Sequence, residues 1–459
     1  MPTENRRSAI SLDEARDRAG RLAFPEPSHD DRLGGVGLEP EFFPIIVGAS
    51  GSPIGRLHLS CPGGWGVLEI IDDLVAEDSR FAMRRGRPLG AVEYPVAGGG
   101  RLTFEPGGQV EHSTAVYPGV GAAVADVEDV VERLRGAFAQ HDVVLAAVGI
   151  DVWNDVSTVP QQLRAGRYTS QAAYYRQRGP WGAVMMRHTA SLQINLDLGP
   201  EGVWQERWLI ANLLSPLLVA TFASSPGKDG VVCERAHAWQ ELDPTRAGFP
   251  RLLVEGAGDD PRLEWGQAAL DADVMLYRLS ETRFEPGCPG CSFAEWIRDG
   301  HPRWGWPTVE DLEYHVTTLF FEVRPRGFLE LRAGEAVPDR WRAAPVTMAA
   351  ALLYDDQARA SGLDLLGSRR PDLPDLWRRA AADGVHDPEL RDLACDLWTI
   401  ALAGARRLPE PFVGGEALAT AETFLEHFTD RGRTPGDDLS DLLMEDPARA
   451  LAWASSTEF

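Results

Sequence analysis

The sequence predicts an α+β protein in which antiparallel strands present polar side chains on one face and helices back the other. Three stretches predict it. From Thr189 to Leu198 the chain alternates without a break: Ala190, Leu192, Ile194, Leu196 and Leu198 are apolar, and Thr189, Ser191, Gln193, Asn195 and Asp197 are polar. A period of two puts the two sets on opposite faces of a strand. From Arg101 to Ser113, two short runs are separated by Pro106, Gly107 and Gly108, the punctuation of a hairpin turn. From Val124 to Phe138, Val124, Val127, Val131, Leu134 and Phe138 share one side of a helix. The last hundred residues, rich in Ala, Leu, Asp and Arg, also read as mostly helical.

Bulk properties narrow the function. The chain has 459 residues, enough to bury a large core, with 44% apolar and 25% charged residues. A net charge of -24 argues against nucleic acid, whose binding rests on Lys and Arg neutralising phosphate, and favours cation sites. The first twenty residues hold no apolar run of the secretory kind. The most apolar stretch, Trp208 to Phe222, is interrupted by Asn212, Ser215 and Pro216 and reads as a buried helix, not a membrane span. Five scattered cysteines do not make a disulfide framework. Cys288 and Cys291 form a single CxxC; without a second pair it is not a zinc site, which leaves incidental loop thiols or a redox pair. The expected compartment is the cytoplasm.

In chain order, residues 1–33 read as a mobile polar tail with one short helix. Glu39 and Glu41 sit two apart, so both carboxylates leave a strand on one face. Adjacent like charges cost stability unless a cation lies between them, and Mg²⁺ takes hard oxygen ligands; the alternative is a solvated acidic edge strand, which Pro40 would tolerate. Glu105 ends the first arm of the hairpin. Gln109, Glu111 and Ser113 share a face of the second, and His112 falls on the opposite, structural face. Val143 to Ile150 reads as a buried strand. Residues 151–183 gather Arg164, Arg167, Tyr168, Tyr174, Tyr175, Arg176 and Arg178, which suits either an anion site or a surface helix with snorkelling arginines. Arg235 suits a substrate carboxylate or a salt bridge to Asp243. Thr308, with Asp311 three residues on, caps a short helix. After it Arg324, Arg326, Phe328, Glu330 and Arg332 share parity, which makes a carboxylate and guanidinium groups neighbours on one face, as in a phosphoryl site or an ion-pair ladder.

No P-loop, HExxH or GxSxG motif occurs, and GVGAAV from Gly119 lacks the strand a dinucleotide loop needs. What remains is carboxylates and arginines dispersed over antiparallel strands. Five stretches, GLEPE from 37, EPGGQVEHS from 105, MMRHTASLQINLD from 185, ERAHAWQELDPTRAG from 234 and PTVEDLEYHVTTLFFEVRPRGFLELR from 307, together resemble the glutamate–cysteine ligases of the plant, proteobacterial and actinobacterial type. The likeness is nearest to the actinobacterial branch that supplies γ-glutamylcysteine for ergothioneine. The stretches keep the family's order and cover most of residues 35–355.

The resemblance implies a glutamine synthetase-like catalytic fold, a curved antiparallel sheet backed by helices, with Mg²⁺ and ATP on its open face. It implies a catalytic region over 34–355, with 356–459 as a helical part of the same domain. The implied reaction is phosphorylation of the γ-carboxylate of L-glutamate by ATP, followed by attack of the amine of L-cysteine. Carried over by position, Glu39, Glu41, Glu105, Glu111 and Glu330 are the Mg²⁺ ligands. Arg332, with Glu330, serves the transferred phosphoryl group. Arg235 takes the glutamate α-carboxylate, Gln193, Asn195 and Arg178 line the substrate pocket, and Arg324 and Arg326 face the nucleotide. Which of Glu39 and Glu41 binds metal stays open, as do the choice of monomer or homodimer, a different amine acceptor, and a non-catalytic binding paralogue.

Overall fold

The computed structural model describes residues 10–26, 33–61, 63–86, 91–200, 202–257 and 259–455. Its strands in chain order are β1 (Val36–Val47), β2 (Pro53–Arg56), β3 (Arg85–Gly86), β4 (Val92–Pro95), β5 (Arg101–Phe104), β6 (Val110–Ser113), β7 (Val143–Ala146) and β8 (Leu192–Asp197). They are followed by β9 (Leu276–Arg278), β10 (Phe284–Pro286), β11 (Val323–Pro325) and β12 (Phe328–Leu331). Ten of them form one antiparallel sheet in the order β11-β12-β8-β1-β6-β5-β4-β3, with β2 and β7 on the far half of β1. The strands β9 and β10 make a separate hairpin.

The centre of the sheet is β1. Its first half lies against β8, Val36 opposite Leu196 and Glu39 opposite Gln193. Glu41 and Phe42 then face Glu111 and Val110 of β6, and Phe43 to Ile46 face β7. Pro40 is tolerated inside this strand because backbone N–H groups alternate between its edges. Leu38 N donates to Thr114 Oγ1 on the β6 side, and Glu41 N donates to Ser191 O on the β8 side. Pro40 has the parity of Leu38, so its missing donor removes nothing from the β8 ladder.

One face of the sheet is covered by helices. Leu192, Ile194 and Leu196 are buried, as expected from the alternation. The helix Trp204–Phe222 is buried along almost its whole length, and every residue of the helix Ala343–Tyr354 is buried. The expected hairpin of residues 101–113 is observed as β5 and β6, with Thr103 opposite Glu111. Thr308 caps the helix Val309–Val316 through a reciprocal box with Asp311. Among the described residues no helix is long and apolar enough to cross a membrane.

The expected polar tail is corrected in its described part; residues 1–9 and 27–32 lie outside the described residues. The helix Leu12–Ala23 is docked, with Ala15, Ala19, Gly20 and Ala23 buried. It meets the helix Pro261–Asp271 backbone to backbone. A Cβ on Gly20 would lie 2.5 Å from Arg262 O, and one on Gly266 would lie 2.3 Å from Arg16 O. Phe24, directly after it, packs edge-on against Trp204 and Trp208. The main core runs unbroken from Ile10 to Phe428.

Candidate active site

The polar face of β8 divides its labour. Ser191 donates to Glu41 through both its hydroxyl (2.7 Å) and its backbone N–H (2.9 Å). Asn195 Nδ2 donates to Glu39 Oε1 at 3.0 Å. Gln193 Oε1 accepts from Arg332 Nη1 at 2.7 Å. Asp197 is structural, accepting from Gly35 N at 2.7 Å. The row therefore orients charged groups on β1 and β12.

Opposite strands bring three of those charges together. Glu41 and Glu111 face one another across β1 and β6, and Glu105 stands at the turn that follows β5. The turn is built for close approach: a Cβ on Gly107 would lie 2.3 Å from Arg187 O, and Gly108 has a φ of +83°. Gln109 anchors the turn by donating to Thr189 O at 2.9 Å. One carboxylate oxygen from each of Glu41, Glu105 and Glu111 lies within 4.8 Å of the others.

Burial raises all three, and repulsion adds to it at Glu105 and Glu111. Glu105 is pushed well above the ordinary carboxylate range by burial, then by Glu41 and Glu111. Glu111 is raised by burial and by Glu41. Glu41 is raised by burial, against its bonds from Ser191 and the charges of Arg235 and Arg332. Glu39, beside the three, is pushed up to about 7 by burial and then by Glu111 and Glu330. Three hard oxygen donors converging on one point fit a Mg²⁺ ion by donor type and by charge.

Glu330 behaves oppositely and stands outside that triad. It is fully buried, yet Arg324, Arg332 and Arg326 together hold it down to about 2. Arg324 Nη2 and Arg332 Nη1 each donate to its Oε1 at 2.7 Å, and Arg326 Nη1 donates to its Oε2 at 3.1 Å. Arg324 comes from β11, directly opposite Glu330 in the register. The parity expectation for this hairpin holds, but Glu330 anchors guanidinium groups instead of joining the acidic triad. Arg332 also lies over the rings of Trp239 and Phe320, 5.6 and 5.5 Å from their centroids, so its plane is fixed on both sides.

Arg235 is buried and donates to the carbonyls of Arg332 (2.8 Å) and Ala333 (3.5 Å). The alternative salt bridge to Asp243 is not formed, because Arg246 Nε (2.7 Å) and the Tyr174 hydroxyl (2.7 Å) occupy Asp243 Oδ2. Arg178 requires a correction. It binds Asp273 and Asp243 and the Tyr174 hydroxyl, and does not line the cavity.

All of this surrounds one cavity of about 760 Å³. Glu39, Glu41, Glu105, Glu111, Gln193, Arg235, Arg324, Arg326 and Arg332 line it; Asn195 and Glu330 support it from beneath. Its helical wall includes residues that sequence reasoning left without a role. Trp239 follows Arg235 by one helical turn, and Tyr314 comes from the capped helix. Leu22 and Ala23 come from the docked N-terminal helix. Only Arg167 and Tyr168 had carried a signal, as part of the Arg- and Tyr-rich connection.

The arrangement can hold a divalent cation and several anionic oxygens in one basin, with cationic groups already oriented. Comparison with known proteins gives the same direction. The family model described as Glutamate-cysteine ligase family 2 (GCS2) matches residues 72–453. The glutamate–cysteine ligase EgtA of Mycolicibacterium smegmatis is 38% identical over 369 residues, which is 78% of this chain and 81% of that protein. Its counterpart from Mycobacterium tuberculosis is 34% identical over 361 residues, 76% of this chain and 78% of its own. The chloroplastic glutamate–cysteine ligase B of rice (Oryza sativa subsp. japonica) is 26% identical over 348 residues, 73% and 66%. A crystal structure of glutamate–cysteine ligase from Francisella tularensis in complex with AMP is similar in fold, with a TM-score of 0.52 over 94% of this chain and 88% of that one, at 12% identity.

Proposed function

The chain belongs to glutamate–cysteine ligase family 2, and from that membership we propose that it joins the γ-carboxylate of L-glutamate to the amine of L-cysteine at the expense of ATP. The product is γ-glutamylcysteine, for ergothioneine or a related thiol. The reaction runs in two steps. The γ-carboxylate oxygen attacks the γ-phosphorus of ATP, giving γ-glutamyl phosphate and ADP. The cysteine amine then attacks the acyl carbon, the C–N bond forms, phosphate leaves, and the amine proton passes to solvent. As a cytoplasmic enzyme of small molecules the protein needs neither nucleic acid nor a membrane.

The observation that carries this reading is the contrast between carboxylates in one cavity. Glu41 is raised by burial, and Glu105 and Glu111 by burial and repulsion, whereas Glu330 is held ionised by three arginines. The first set would hold Mg²⁺; when bound, the ion offsets the charge that builds as phosphate and carboxylate approach. Arg332, Arg324 and Arg326 are already oriented by Glu330, so they present donors to phosphoryl oxygens without reorganising. Gln193 fixes Arg332 from the other side, a positioning role. Arg235, with its Nη atoms on backbone carbonyls, supplies the positive charge for the glutamate α-carboxylate.

The test is ADP release from Mg²⁺–ATP and glutamate with a panel of amines. Cysteine is expected to give the fastest turnover and chelation of Mg²⁺ to stop it. If cysteine gives no more turnover than alanine or 2-aminobutyrate, the acceptor assignment fails and a ligase of another amine stands. If no amine releases ADP and calorimetry finds no Mg²⁺-dependent ATP binding, the protein is a binding paralogue.

A further inference from the structure

The Arg- and Tyr-rich connection before β8 is divided by the fold. Arg178 is occupied by Asp243 and Asp273. Arg167, from the helix Gly166–Arg176, lines the cavity instead. Among the described residues no carboxylate lies within ion-pair distance of it, and its Nε is buried without a hydrogen-bond partner. Its guanidinium stands 6.0 Å from the Tyr168 ring centroid and 5.9 Å from that of Tyr314. Tyr314 also lines the cavity, is 7% exposed, and has a buried hydroxyl without a partner. A cation and a hydroxyl, both with unused donors, thus share one stretch of wall. Both side chains line the cavity, so an acceptor held there is within reach of both donors.

The chemistry states what that acceptor is. A ligase that joins two free amino acids must hold two α-carboxylates. Arg235 is taken by the donor, and Arg324, Arg326 and Arg332 share Glu330. Arg101, also in the cavity, lies on the sheet floor at β5 beside Glu111, whereas Arg167 and Tyr314 both come from the helical wall. Arg167 acts on Glu105, so its charge is felt at the triad, where the amine must arrive. We infer that Arg167 and the Tyr314 hydroxyl bind the α-carboxylate of the acceptor amino acid and make the site selective for amines that carry one. The inference rests on the ligase reading above. An acceptor lacking the carboxylate would leave the guanidinium and hydroxyl without partners, which is the strong form of discrimination.

The test compares cysteine with its decarboxylated analogue cysteamine at saturating ATP and glutamate. The native enzyme is expected to prefer cysteine by about 100-fold or more in kcat/KM. Arg167→Met should raise the KM for cysteine about tenfold or more relative to that for cysteamine, with the KM values for glutamate and ATP near native, so the preference collapses. Arg167→Lys should restore part of it, and Tyr314→Phe, which removes only the hydroxyl, should lower it by a smaller factor. A parallel fall for cysteine and cysteamine in both Arg167→Met and Tyr314→Phe, or a rise in the KM for glutamate, overturns the assignment. If the native enzyme uses a different amino acid, the cysteine reading fails, and that acid and its decarboxylated amine decide the role of Arg167. No turnover with any amine overturns both.

Discussion

Glu41, Glu105 and Glu111 are individually ordinary residues made unusual by their neighbours. Burial holds each above the ordinary carboxylate range; Glu41 and Glu111 push Glu105 further and Glu41 pushes Glu111 further, so removing the Glu111 charge relieves Glu105. Glu111→Gln keeps the size of the side chain and an acceptor for the Thr103 hydroxyl. It should lower Mg²⁺ affinity by about 100-fold or more, with activity lost in proportion. The same change should stabilise the metal-free protein by about 1–2 kcal/mol, because a like charge is gone. Opposite signs for activity and for melting temperature in one variant distinguish a cation cradle from a structural cluster, where both would fall. Parity made these glutamates legible in the sequence: a period of two set Glu39 beside Glu41, and the Pro-Gly-Gly turn brought Glu105 and Glu111 to one face. Parity says nothing about which arginine is left free. Arg178 finds Asp273 nearly a hundred residues later, and only the fold shows that Arg167 finds no such partner among the described residues.

At the level of elements, one hairpin and one capped helix were readable because their signals are local: PGG between β5 and β6, Thr308 with Asp311. Docking was not. The helix Leu12–Ala23 makes its contact through Ala and Gly, residues that carry little apolar signal, so it reads as polar although one stripe is buried. That contact is unforgiving. A methyl group at Gly266 has to displace the Arg16 carbonyl, and Gly266→Ala should cost about 1–3 kcal/mol in denaturant unfolding, although alanine is the better helix former. The helix also walls the cavity with Leu22 and Ala23. The variant should therefore lose substrate affinity along with stability. Residues 48–100 were opaque for a different reason: their strands are of two to four residues, too short to show a period.

For the molecule as a whole, the acidic basin ties stability to pH. Glu39 and Glu322 sit at about 7, and Glu41, Glu105 and Glu111 also lie above their ordinary value. All five bind a proton more tightly folded than unfolded. Their contribution is therefore fully present below about 4.5 and is lost as pH rises through each raised folded value, which for Glu39 and Glu322 is about 7. Burial lowers His188 to about 4 and His315 to about 3, and these two act in the opposite sense, costing stability as pH falls below 6.5. Mg²⁺ addresses only the first group. The gain in melting temperature on adding saturating Mg²⁺ should be larger at pH 8 than at pH 6; an equal gain at both would show that the ion binds elsewhere. The sheet order behind this coupling was not in the sequence pattern, since alternation identifies a strand but not its neighbours.

The central position of β1 has a further consequence, in time. Its ladder partner on β8 lies 150 residues downstream, at Ser191 and Glu41, and β12 is later still. At ordinary translation speeds the ribosome needs on the order of ten seconds to deliver that partner. During the interval the acidic strand is an unpaired edge, exposed to chaperones and to aggregation. Contact order this high makes closure of the sheet a late event in folding. Ser191, which orients Glu41, arrives only with β8, so the cradle takes its final geometry late although its three carboxylates are made early.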